Sequence, residues 1–228
     1  MHRLIGGIAA LALVAFAGPA LAGPVSGWSG DGSDVLVSDV SGSGSITQIT
    51  PNSQWGDVSD DAGLAPGTAK WISYADTGVS PDTTVAPNIS GTRTIGNETA
   101  HFRRNFSLGR TFALDLWILT DDTAEVTLTG PGGTSTLFSA FTGQIDPCAP
   151  GGTGVPIGCV EADMGITTVS GLAAGSYSLD VYAFQTNGDG FGSQYAFDTD
   201  VPEPATIGLI GMGLAGIGFV AHRRRKTA

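Results

Sequence analysis

Several stretches of this chain carry residue types that could do chemistry, and the most specific of them is a short proline-flanked acid. Val201-Pro202-Glu203-Pro204 sets a carboxylate between two prolines. Each proline fixes its own φ and disfavours helix in the residue before it, so the segment is extended and open to a processing enzyme. Behind it come 17 residues, Ala205 to Ala221, in which Thr206 is the only polar side chain, and then Arg223, Arg224, Arg225 and Lys226. As a helix the apolar run spans about 26 Å, slightly short of a ~30 Å hydrocarbon core. The basic cluster would stay in the cytoplasm and hold the preceding chain outside. The expected event is membrane arrest through one C-terminal transmembrane helix, with the Pro-Glu-Pro tripeptide left where a processing enzyme could read it.

The other stretches are less specific. Cys148 and Cys159 bracket a Pro- and Gly-rich loop. In an oxidising compartment this spacing predicts a disulfide worth about 2–3 kcal/mol. A metal site is the lesser reading, because no Cys-x-x-Cys pair or histidine cluster completes it. His101 is the only histidine between residues 23 and 200, and no Gly-x-Ser-x-Gly elbow accompanies it, so no catalytic residue is assigned. A Ser-His-Asp arrangement through His101 is the competing idea, and with it a secreted carbohydrate-active enzyme. The acid pairs Asp121-Asp122 and Asp60-Asp61 are sequence neighbours, which point to opposite faces of a strand and suit turns better than an acid/base dyad. Asn187-Gly188-Asp189-Gly190 and Asp31-Gly32-Ser33-Asp34 put oxygen ligands on glycine turns. A structural calcium at Asn187 and Asp189 stands beside plain turn chemistry as the one cofactor to consider.

Sugar binding would need an aromatic platform with polar neighbours. Trp117 is the candidate. It is out of phase with Phe112, Leu114, Leu116 and Ile118, whose period of two marks a half-buried strand, so it projects to the opposite face. Asp121 and Asp122 at the adjoining turn would supply acceptors for hydroxyls.

These residues need a scaffold, and the pattern calls for strands. Short runs near 35–37, 45–50, 71–74, 101–106, 112–118, 126–128, 134–138, 164–169, 177–183 and 195–197 are separated by turn signals such as Gly130-Pro131-Gly132-Gly133. No segment of the exported part has a convincing helical stripe. The expected fold is an all-β, antiparallel two-sheet sandwich over residues 45–200, after a flexible Gly/Ser/Asp-rich lead-in at 23–44. Residues 1–22 read as a signal peptide. His2 and Arg3 precede the apolar Leu4 to Ala17, and Ala20-Leu21-Ala22 offers signal peptidase a cleavage site before Gly23.

Charge restricts the partners. Ten Lys and Arg face 21 Asp and Glu, but five of the basic residues and only Glu203 lie in the two end segments, which leaves Gly23–Asp200 at −15. Nucleic acid is excluded as a partner, because no basic stripe exists to neutralise phosphates.

The order Pro-Glu-Pro, apolar run, basic cluster closely resembles the PEP-CTERM sorting signal of Gram-negative bacteria, over residues 201–228. That resemblance implies an exosortase as partner, a transient stay in the inner membrane, and a final place at the cell surface or in an extracellular polysaccharide (biofilm) matrix. The stretches Leu116 to Val126, Trp71-Ile-Ser-Tyr-Ala-Asp-Thr-Gly and Gly175-Ser-Tyr-Ser-Leu-Asp-Val-Tyr look like galactose-binding-like jelly rolls, over about residues 45–200. That second resemblance implies a jelly-roll ectodomain, which contacts extracellular polysaccharide or serves structurally in the matrix.

Overall fold

A computed structural model describes residues 24–42, 44–78, 85–89, 92–143, 148–186 and 190–200. The two end segments, the sorting motif, and the calcium candidates Asn187 and Asp189 fall outside these residues. Among the described residues no helix is long and apolar enough to cross a membrane.

The chain is all-β. Its strands are β1 (Ser26–Trp28), β2 (Asp34–Asp39), β3 (Thr47–Gln48), β4 (Ile72–Ser73), β5 (Ala100–Leu108), β6 (Phe112–Asp121), β7 (Thr123–Gly130), β8 (Gly133–Phe138), β9 (Gly165–Leu172), β10 (Gly175–Phe184) and β11 (Gly192–Asp200). Among the described residues a helical turn, α1 (Val58–Asp61), and a 3-10 turn at Glu161–Asp163 interrupt them. All pairings are antiparallel. One sheet runs β3-β4-β11-β6-β9, with β1 also on β11, and the other runs β2-β5-β10-β7-β8. Among these strands, chain neighbours pair only at β3–β4 and β7–β8, and every other connection changes sheet. The β7–β8 hairpin closes at the expected glycines, with Gly133 at φ +103, a conformation side chains rarely adopt.

Alternation decides which faces meet. Phe112, Leu114, Leu116 and Ile118 of β6 are fully buried, as are Phe102 of β5 and Leu179 of β10, and they join Val126, Tyr195 and Phe197 in one core between the sheets. A second apolar cluster lies on the outer face of β6 and β11, built from Leu119, Ala196, Trp71, Val58, Cys159 and Val160.

The expected lead-in at 23–44 carries β1 and β2, so the folded body starts before residue 45. Sequence patterning misses β1 because it is three residues long and centred on a glycine. Gly27 is needed there, since a Cβ would come within 2.7 Å of the Phe197 ring and 2.9 Å of the Arg104 guanidinium.

Arg104 explains how that segment is held. It lies on the inward face of β5, 9 % of its side chain exposed. Its guanidinium makes two hydrogen bonds to Asp31, sits 3.7 Å from Asp34 and lies over the Phe197 ring. The Tyr195 hydroxyl donates to Asp34. Asp34 also accepts from Gly30 N–H at 2.8 Å, and Asp31 from Ser33 N–H at 2.8 Å. The Asp31-Gly-Ser-Asp turn, considered above as a cation loop, thus spends its carboxylates on a guanidinium, a hydroxyl and backbone amides. Burial acts to raise the Asp31 pKa, but the Arg104 hydrogen bond and charge, with the Ser33 N–H, outweigh it and hold the group below its ordinary 3.8. At Asp34 burial dominates and pushes the pKa up.

Cys148 and Cys159 are disulfide-bonded, with Cα atoms 5.0 Å apart. The loop they close is tied down by Asp163, just past it in the chain, which is buried and accepts from Thr153 N–H, the Thr153 hydroxyl and Gly154 N–H. Its rim joins β6 through Thr120 N–H to Gly158 O, and the segment before α1 through Gly56 N–H to Cys159 O.

Three outcomes are expected. Arg104→Leu strands two carboxylates and should cost about 3 kcal/mol in urea unfolding at pH 7. Asp31→Asn should destabilise at neutral pH. Because the folded pKa lies below the unfolded one, the wild-type advantage is complete above pH 3.8 and should shrink as the pH falls through the depressed folded value. Thiol labelling of the unfolded, non-reduced protein should find no free cysteine, and the Cys148→Ala/Cys159→Ala variant should lose about 2–3 kcal/mol.

Candidate functional site

The outer face of β6 carries every odd-numbered residue of that strand, Trp117 among them. Cross-strand register places Trp117 beside Ile166 on β9 and Ala196 on β11, and Ala196 in turn beside Trp28 on β1. One row therefore crosses four strands as Trp28, Ala196, Trp117, Ile166. Trp28 and Trp117 are partly exposed, Ile166 is 58 % exposed, and Ala196 is buried between the tryptophans. The expected direction of Trp117, away from the inter-sheet core, is the observed one.

That face is not bare. The segment from Trp55 to Trp71 folds over its other half. Gln194, on the outer face of β11, accepts from Val58 N–H at 3.0 Å and donates to Ala69 O at 2.9 Å and to Asp57 at 3.1 Å. Asp57 caps α1 through Ser59 N–H and also accepts from Gly67 N–H at 2.6 Å. Trp55 and Trp71 pack with ring centroids 4.3 Å apart, and the Trp71 indole donates to Gly56 O. Trp117 sits at the rim of this cover, packed partly against the second cluster.

Asp121 and Asp122 are placed differently from a solvent-facing acceptor pair. Asp121 is 6 % and Asp122 1 % exposed. The turn they form carries the chain from one sheet to the other, so both flanks are covered. Asp122 accepts from the N–H and hydroxyl of Thr186, each at 2.6 Å. Asp121 is four residues from Trp117 on the same face, about 13 Å along the strand. Its carboxylate lies within 4.8 Å of both cysteine sulfurs, and since these are bonded to each other they offer no thiolate for a metal.

His101 belongs to the outer face of the other sheet. Its Nε2 lies 2.6 Å from Asp180, Arg103 donates to the same carboxylate oxygen at 2.7 Å, and the Ser178 hydroxyl donates to the second oxygen at 2.8 Å. The imidazole stacks on Tyr182 at 4.1 Å. Burial acts to raise the Asp180 pKa, but these three partners hold it below the usual carboxylate value. A nucleophilic triad needs the imidazole between hydroxyl and carboxylate. Here the carboxylate is in the middle, and Ser178 bonds to Asp180 rather than to His101.

The polar row next to the tryptophans is absent from the sequence reading. Ser26, Asp198, Asp115 and Thr168 face the same side, one pleat along. Asp115 and Asp198 are direct cross-strand partners, and the Thr168 hydroxyl donates to Asp115. The signal that could have exposed this row is the parity of Asp115 with Trp117, once the strand register is known.

No curated protein matches the chain. Residues 200–225 match the PEP-CTERM protein-sorting motif.

Proposed function

We propose that the chain is an exported cell-surface or extracellular-matrix protein of a Gram-negative bacterium, sorted and cut by an exosortase. Its sandwich is non-catalytic, jelly-roll-like, and contacts extracellular polysaccharide or serves structurally in the matrix. The observation that carries this reading is the matched motif at residues 200–225, with its tripeptide, apolar run and basic cluster in order. The motif supports export, a transient C-terminal anchor and release to the surface. Signal peptidase removes residues 1–22, and no nucleic acid takes part.

The fold supports the division of labour. The last strand ends at Asp200, and Val201-Pro202-Glu203-Pro204 follows at once. Cleavage in the motif would leave both sheets whole, because every described strand precedes it. The two antiparallel sheets are compatible with a jelly roll, and the His101–Asp180 arrangement favours a structural network over hydrolysis.

Replacing Pro202, Glu203 and Pro204 together by alanine should leave the sandwich folded and stop release. Full-length protein should then accumulate in the inner-membrane fraction, as it should in cells lacking the exosortase. Wild-type surface levels of the triple variant would contradict the assignment.

A further inference from the structure

We infer that the outer face of the β1-β11-β6-β9 surface is a binding trough for an extended, uncharged polysaccharide chain lying across the strands, with Trp28 and Trp117 as its two stacking positions. The inference rests on the polysaccharide reading above and names the surface and the class of glycan.

Trp28 and Trp117 stand in one cross-strand row, with β11 between their strands. Two inter-strand steps separate them by about 10 Å. That is close to the length of two pyranose units in an extended chain, so two sugar faces could stack while the unit between them spans Ala196. Both indoles keep part of their surface in solvent, although the cluster beside them is buried. The row then runs past Ile166 into an open groove of about 740 Å³ whose lining includes Ile166, Met164, Gln54 and Glu161. A polymer crossing the strands has somewhere to continue.

Asp115 and Asp198, one row away, give the second and independent indication. Like charges directly opposite each other on an antiparallel pair are destabilising. This pair sits opposite across β6 and β11, partly exposed, beside the hydroxyl residues Ser26 and Thr168. Carboxylates accept hydrogen bonds from sugar hydroxyls, and their bidentate acceptor geometry orients a ring held by an indole. They also set the selectivity. An acidic rim on a body of charge −15 repels a polyuronate and tolerates a neutral glycan.

The test is calorimetric titration of the protein released from the cell surface, with cellohexaose as the neutral probe and an alginate oligomer as the anionic one. Wild type should bind cellohexaose and not alginate. Trp28→Ala and Trp117→Ala should each weaken binding at least ten-fold, Trp117→Tyr should retain it within about three-fold, and Asp115→Asn/Asp198→Asn should weaken it several-fold with a melting temperature no lower than that of wild type. If either alanine variant is unfolded, iodide quenching of wild-type tryptophan fluorescence decides, with protection by cellohexaose expected and no protection contradicting the trough. Cellohexaose binding that survives all of these substitutions would overturn the trough and leave the polysaccharide reading standing. Preference for alginate would overturn the charge argument, and binding of neither glycan would overturn both the trough and the polysaccharide reading.

Discussion

Arg104 points from the inner face of β5 into the space between the sheets, where a guanidinium cannot remain without acceptors. The chain answers with Asp31 from the turn between β1 and β2 and Asp34 at the start of β2, and Tyr195 from the opposite sheet completes the set. A buried charge network of this kind contributes less net stability than its contacts suggest, but breaking it is costly. Its structural consequence is direct. The turn is drawn inward, Ser29 is buried with its N–H on Tyr195 O and its hydroxyl on Lys70 O, and β1 is laid along β11. Trp28, the last residue of β1, therefore owes its place on the outer face to an arginine on the inner one.

The outer face follows from the same logic of coverage. The Trp55–Trp71 segment buries one half of the β6–β11 surface through Gln194 and Asp57. The half nearer Asp115 and Asp198 keeps tryptophan, carboxylate and hydroxyl side chains at the surface. A sheet face with no use beyond packing would have little reason to set two aspartates opposite each other.

Much of the scaffold was legible in the sequence, because period-two alternation in β6, β7 and β10 reports which side chains face inward. It does not report which sheet a strand joins. The turn at Asp121-Asp122 was readable as a turn, yet its burial was not, since that depends on the chain crossing between sheets there. The direction of Trp117 followed from parity alone, whereas its neighbours required the register. Asp31 and Asp34 read as a glycine-rich acidic turn, and only the fold shows that a residue some seventy positions away neutralises them. The cysteine pair was predictable from compartment and spacing, while the role of Asp163, which holds their loop from just outside it, had no local signature.

In the proposed account the two end segments serve transport and only the sandwich between them is delivered. The intact mass of the protein harvested from the cell surface tests it most directly. The mass should correspond to a chain that begins at Gly23 and ends near Pro202-Glu203-Pro204. Peptides covering Ile207 to Arg225 on most of the surface protein would contradict it and make the tail a permanent anchor.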